Sequence, residues 1–343
     1  MFFKTIFKSL LALASIAIVA LALLKVAGVD SIPIPFKSNG PVHSLTGRDG
    51  TDSPVLVVKY DDTTYAHPQV GLKDADVVYI EQVEGGLTRL AAVFSSSIPD
   101  LVGPVRSARI SDIELLAQYG PVGFAYSGAQ SKLRPVIAEA NLVDIGANKF
   151  GPMYYTNDLA RVAPYAMMLK SSLLLEKISS DGITLAKSKP MGWIFGDAPE
   201  NLKTFKSVHI SWPASSYDAT WSDEEKRWLL THNGNPNLDT SGYQLGPQTI
   251  VIQMVSITDS IYRDKVGGVT PFTATVGEGQ CYLLRDGGVV DCRWSRPSAE
   301  DGTTFTDLEG NEVSFARGQV WFALTSKAPV FTGIAAAPTP SSK

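Results

Sequence analysis

The densest chemistry in the chain lies between Glu81 and Asp112. The run reads Glu81-Gln82-Val83-Glu84-Gly85-Gly86-Leu87-Thr88-Arg89, and later Gly103-Pro104-Val105-Arg106-Ser107-Ala108-Arg109-Ile110-Ser111-Asp112. Arg106 and Arg109 stand just before a predicted helix start, where unpaired N–H groups and the positive end of the helix dipole add to their charge. Such a pair suits a carboxylate or a phosphate. Arg89, on the strand after the glycine turn, can approach the same place. Three readings stay open. In the first, Glu84, Arg89, Arg106, Arg109 and Asp112 bind an anionic or polar envelope ligand, or a protein partner. In the second, Glu84 and the arginines are a buried ion-pair network that fixes the topology. In the third, Glu84 is the general acid or base of a hydrolase acting on envelope polymers, paired with Asp112 or Glu81.

No nucleophile motif supports the third reading. Tyr126-Ser127-Gly128 is not a G-x-S-x-G elbow, and no histidine is tied to it. There is no P-loop, and Gly277-Glu278-Gly279-Gln280 is too short for a dinucleotide fingerprint. No cofactor is expected, and the balance leans away from an enzyme. Two cysteines and the scattered His43, His67, His209 and His232 give no ligand spacing, so no metal is expected either. His67-Pro68 reads as a turn, and His209 and His232 as ordinary residues of a β region. Cys281 and Cys292 flank Asp286-Gly287, a favoured hairpin turn. Arg285 then faces Gly288 and Cys281 faces Cys292, which predicts a disulfide in an exported domain.

The elements that must position these residues follow from pattern. Val55–Lys59, Val77–Ile80, Thr88–Phe94 and Val122–Tyr126 read as strands, with Gly85-Gly86 as a turn. Ser111-Asp112-Ile113-Glu114 has the form of a capping box opening a helix to Gly120-Pro121. Leu133–Leu142 and Tyr165–Ile178 also read as helices. Residues 51–200 are therefore expected to form an α+β (or α/β) domain, and 201–328 a mostly β domain. Residues 31–50 read as a linker and 329–343 as a flexible tail.

The 343 residues, 44% hydrophobic and 19% charged, suffice for roughly two domains. A net charge of −4 argues against a nucleic-acid partner. Leu10–Leu24 is apolar apart from Ser15, with Lys4 and Lys8 before it and Lys25 after it. Residues 1–30 are expected to be a signal or membrane anchor, with the body outside the cytoplasm. Cleavage near Ala20-Leu21-Ala22 would make the protein secreted. No cysteine lies near this segment, so lipid attachment there is not expected.

Several segments resemble the YerB-like family of bacterial envelope proteins, whose domains have no known function. They are H-P-Q-V-G-L-K-D-A-D-V-V-Y from His67, V-E-G-G-L-T-R from Val83 and G-P-V-R-S-A-R from Gly103. G-E-G-Q from Gly277, D-G-G from Asp286, W-S-R from Trp294, F-T-D-L-E-G from Phe305 and G-Q-V-W from Gly318 resemble its C-terminal domain. The resemblance covers about 45–325. It implies a two-domain, membrane-tethered, extracytoplasmic protein without an established activity. Its motif arginines fall on Arg89, Arg106 and Arg109, and its motif glutamate on Glu84. Many relatives carry a lipid-attachment cysteine, which this chain lacks; some place a glutamate directly after the tyrosine matching Tyr79, where Ile80 stands here; and the motif matching Arg161-Val162-Ala163-Pro164 is often continued by polar residues, where Tyr165-Ala166 follow here.

Overall fold

Strand parity explains the first half. Leu56–Asp61 (β1), Val77–Gln82 (β2) and Thr88–Phe94 (β3) are almost wholly buried, so apolar side chains leave both faces. Ser111–Ala117 (α1), Val122–Ala125 (β4), Arg134–Glu139 (α2), Leu142–Asp144 (β5), Ala147–Phe150 (α3) and Ser171–Ser180 (α4) follow. From there the chain is all strand: Lys203–Thr204 (β6), Ser207–Ser211 (β7), Ser216–Ser222 (β8), Arg227–His232 (β9), Asn235–Pro236 (β10), Thr249–Met254 (β11), Ile257–Arg263 (β12), Val269–Thr273 (β13), Gly277–Arg285 (β14), Gly288–Arg296 (β15), Thr304–Asp307 (β16), Val320–Thr325 (β17) and Val330–Thr332 (β18). The structure is a computed structural model that describes residues 40–333. The expected anchor over 1–30 therefore lies outside the described residues. No described helix is long and apolar enough to cross a membrane.

Eleven strands make one sheet, in the order β6-β15-β14-β11-β17-β2-β3-β1-β4-β5, with β16 on β15. The sequence boundary near 200 therefore divides the chain but not the sheet. The seam is β17, parallel to β2 on one side and to β11 on the other. Its six residues, V-W-F-A-L-T, are all buried, as a strand covered on both faces requires. A second sheet, β10-β9-β8-β7-β18, packs its apolar residues into the same core as β1, β3 and β11. The hairpin β14–β15 has the expected register, with Arg285 opposite Gly288 and Cys281 opposite Cys292, and the two cysteines are bonded. Asp286 and Gly287 both take positive φ, the conformation that such two-residue turns demand.

The molecule is more β-rich than the α+β (or α/β) expectation for 51–200. The helix expected over Leu133–Leu142 ends at Glu139, because Leu142–Asp144 is extended and pairs with β4. Residues 167–170, expected as helix, pair with 155–157 and 101–102, and helix begins only at Ser171. The stretch 41–50 packs rather than spans: His43, Leu45 and Thr46 are buried. At the other end, β18 pairs with β7 inside the expected tail.

The predicted capping box is used differently. Ser111 Oγ accepts from Thr273 N at 2.9 Å, and Glu114 Oε1 accepts from Thr275 N and Val276 N at 2.6 and 3.0 Å. Both polar side chains tie α1 to β13 and the turn after it. Arg296, fully buried, adds a bond from Nη2 to Glu114 O at 2.7 Å. Glu114→Ala strands those amides and is expected to cost about 1–3 kcal/mol. Urea unfolding checks this, with Glu114→Gln losing less because it keeps one acceptor.

Candidate functional site

At the end of β1, successive side chains leave opposite faces of the sheet. Lys59 and Asp61 point the way of Val57, Tyr79 and Val93, the face that α1 covers. Asp62 points the way of Tyr60 and Leu90, toward the second sheet. Register sets Asp61 opposite Arg89, and Arg89 opposite Glu81. The segment after Gly103 extends the sheet beside β1, with Asp61 N donating to Pro104 O and Arg106 N to Lys59 O. One face thus receives Lys59, Asp61, Glu81, Arg89 and Arg106 together, and the start of α1 brings Arg109 and Asp112.

These groups form two layers. The deeper is Lys59, whose Nζ donates to Glu81 Oε1 and Asp112 Oδ1, both at 2.6 Å. All three side chains are 0–1% exposed. Burial pushes the Glu81 carboxyl up to about 8, with the Asp112 charge adding to the rise and Lys59 opposing it. Glu81 Oε2 has no hydrogen-bond partner, which favours a neutral carboxyl over an ionised one. Asp112, expected among the ligand-binding residues, is fully buried, its second oxygen accepting from Arg109 N at 2.6 Å.

The upper layer holds the arginines. Arg109 grips Glu84 Oε2 through Nε and Nη2 at 2.9 and 2.7 Å, and Thr270 Oγ1 donates to Glu84 Oε1. Burial acts to raise the Glu84 carboxyl, but Arg109 and Thr270 outweigh it and hold it below its ordinary value. A carboxylate with both oxygens engaged and no proton to give is poorly suited to general acid or base work. Arg106 Nε donates to Asp61, and its guanidinium lies 5.7 Å from the Tyr165 ring centroid. Arg89 is different. It donates through Nη1 to Ser107 O at 2.8 Å, and among the described residues it forms no ion pair. Burial, then the Arg109 and Arg106 charges, push its guanidinium down to about 9, so it remains charged at neutral pH.

The turn before β3 needs its glycines. Gly86 has φ +74°, and a Cβ there would sit 2.5 Å from Pro213 Cβ. Glu84 is thereby aimed at Arg109 and Thr270. The fold brings Glu84, Arg89, Arg106 and Arg109 together as the sequence suggested. Sequence reasoning missed Lys59, Asp61 and Thr270. A lysine at a core-parity position of an apolar strand is the one signal that could have found the first.

The expectation of no metal-ligand spacing concerned sequence distance alone. On the opposite face the fold gathers Asp62, His67 and His232, one ligand atom from each lying within 4.8 Å of the others.

Comparison with known proteins gives two family matches. Residues 45–184 match "Protein of unknown function (DUF3048) N-terminal domain", and 208–322 match the C-terminal domain of the same family. The chain is 34% identical over 301 residues to the Bacillus subtilis (strain 168) protein named "Putative lipoprotein YerB", covering 85% of this chain and 88% of that one. The crystal structure of YerB from Bacillus subtilis shares the fold, with a TM-score of 0.72 and 19% identity over 85% of this chain and 99% of that chain.

Proposed function

The chain belongs to the DUF3048 family of proteins of unknown function, and from that premise we propose that it is an envelope-tethered binding protein. In this reading its body lies outside the cytoplasm, consistent with a relative named as a lipoprotein. Its ligand presents a small anionic group, carboxylate or phosphate, to Arg89 and Arg106. The observation that carries the reading is the charge balance of the upper layer. Three guanidinium groups, Arg89, Arg106 and Arg109, meet two carboxylates, Asp61 and Glu84. The surplus sits on Arg89, which is nearly buried, its charge opposed by Arg109 and Arg106 and favoured by Glu84 and Asp61 without an ion pair to either. A buried unpaired charge is costly unless a counter-ion joins it. Arg106, with 20% of its side chain exposed, is the member of the layer an incoming anion meets first.

The test is calorimetric titration of the protein with inorganic phosphate, acetate and soluble wall fragments. Saturable binding is expected for at least one, weakened about tenfold or more by Arg106→Ala, as loss of a charged hydrogen bond implies. Because Arg106→Ala also unpairs the buried Asp61 and is expected to lower the urea midpoint, the same titration is run on Arg106→Ala with Asp61→Asn, which removes the stranded charge and should stay folded with binding still weakened. Undiminished anion binding by the folded double variant, or no saturable anion binding by wild type, would mean that the arginines serve the architecture alone.

A further inference from the structure

The geometry points to a divalent transition-metal site, of the class that zinc occupies, formed by Asp62, His67 and His232. It lies on the opposite face of the sheet from the arginines, so it stands or falls independently of the anion proposal. Asp62 comes from the end of β1, His67 from the loop that follows, and His232 from the end of β9. Asp62 Oδ1 is 3.4 Å from His67 Nε2, and Asp62 Oδ2 is 3.7 Å from His232 Nε2. A metal with bonds of about 2.0–2.2 Å spaces neighbouring ligand atoms about 3–3.5 Å apart, so the three need only modest closure. One carboxylate and two imidazoles are a donor set suited to zinc and its first-row neighbours, and poorly suited to calcium or magnesium.

Two further observations support the site. The carboxylate is already aimed. Tyr217 OH donates to Asp62 Oδ1 at 2.6 Å and Thr88 Oγ1 to Oδ2 at 2.5 Å, the outer hydrogen bonds that orient a metal-binding acid. The second is Gln69, which is fully buried. Its Nε2 lies 3.4 Å from Asp62 Oδ1 and 3.5 Å from His67 Nε2, while its Oε1 has no hydrogen-bond partner. The amide turns its nitrogen, not its oxygen, toward Asp62 and His67, and an orphaned buried oxygen costs stability unless something uses it. A half-turn of the amide would bring that oxygen to the site as a fourth donor.

The two imidazoles lie stacked, with centroids 4.5 Å apart and planes 12° from parallel. Parallel rings do not aim both lone pairs at one point, so coordination requires one ring to turn out of the stack. His67, with 16% of its side chain exposed against 4% for His232, is the ring with room to turn. The site therefore closes around an ion entering past His67, and it joins the first half of the chain to the second sheet.

The experiment uses the full chain, stripped with a chelator, dialysed, and titrated with Zn²⁺ and with Co²⁺. One ion per chain is expected, with Co²⁺ giving visible absorption typical of four-coordinate nitrogen and oxygen ligation. His67→Ala should weaken binding by about tenfold or more, with the urea midpoint measured in chelator unchanged. His209→Ala removes the surface imidazole beside Asp218 and should change nothing. If His67→Ala fails to fold, Asp62→Asn and His232→Gln supply the same reading. Absence of stoichiometric uptake overturns the proposal, as does equal affinity in wild type and in every folded variant of the three residues.

Discussion

Lys59→Met is expected to destabilise the protein by about 3–5 kcal/mol, the usual consequence of removing one partner from a buried ion pair. Among the described residues Lys59 is the one cation bonded to both Glu81 and Asp112, and none of the three side chains is more than 1% exposed. Without it, Asp112 keeps the Arg109 amide and the neighbouring Glu81 carboxyl but no cation, and holds its charge in a buried setting. Methionine matches the length of the lysine stem and leaves no large cavity, so the loss reads charge rather than volume. Adding Asp112→Asn and Glu81→Gln to Lys59→Met removes the stranded charge, and the triple variant should recover most of the stability. Urea unfolding at pH 7 measures both. A single variant within 1 kcal/mol of wild type would mean that the triad is solvated or neutral in the folded protein.

This triad also marks how far the sequence could be read. Strands β1, β2 and β3 follow from apolar runs, and the β14–β15 hairpin follows from Asp286-Gly287, because these signals are local. The Glu84–Arg109 neighbourhood is legible too, since the glycine turn and the α1 start each announce themselves. Other features needed the tertiary structure. Residues 166–170 carry an Ala-Met-Met-Leu-Lys pattern that favours a helix, and only pairing of 167–170 with 101–102 and 155–157 overrides it. Ser111 and Glu114 have the spacing of a capping box, but amides at 273–276 compete for their oxygens and win. His67 and His232 are distant in sequence, and nothing local predicts that they stack. Parity alone puts Asp61 and Asp62 on opposite faces, but it does not reveal what each meets there. That needed the register of β1 against β3 and the identity of what covers each side.

The second large effect is a fall in stability with rising pH, set by the Glu81 proton. In the unfolded chain this carboxyl titrates near its ordinary 4.5, and in the folded protein burial raises it to about 8. Between those values the native state holds a proton that the unfolded state has lost. Stability therefore decreases as pH rises across the window, by up to about 1.4 kcal/mol per pH unit, and levels off once the folded group also ionises. His232 works in the opposite sense at lower pH. Burial, opposed by Asp62 and aided by His67, keeps it below 6.5, so the unfolded chain binds the extra proton there and stability rises with pH. The clean interval is thus pH 6.5–8, above the histidine and below the folded value of Glu81. Urea midpoints of wild type should fall through that interval. Those of Glu81→Gln, which keeps an acceptor for Lys59 but carries no titrating proton, should fall less steeply by close to one proton's worth. Parallel curves for the two proteins would place the native proton on another group, and would also remove the reason for expecting the Lys59 triad to carry a neutral glutamic acid at physiological pH.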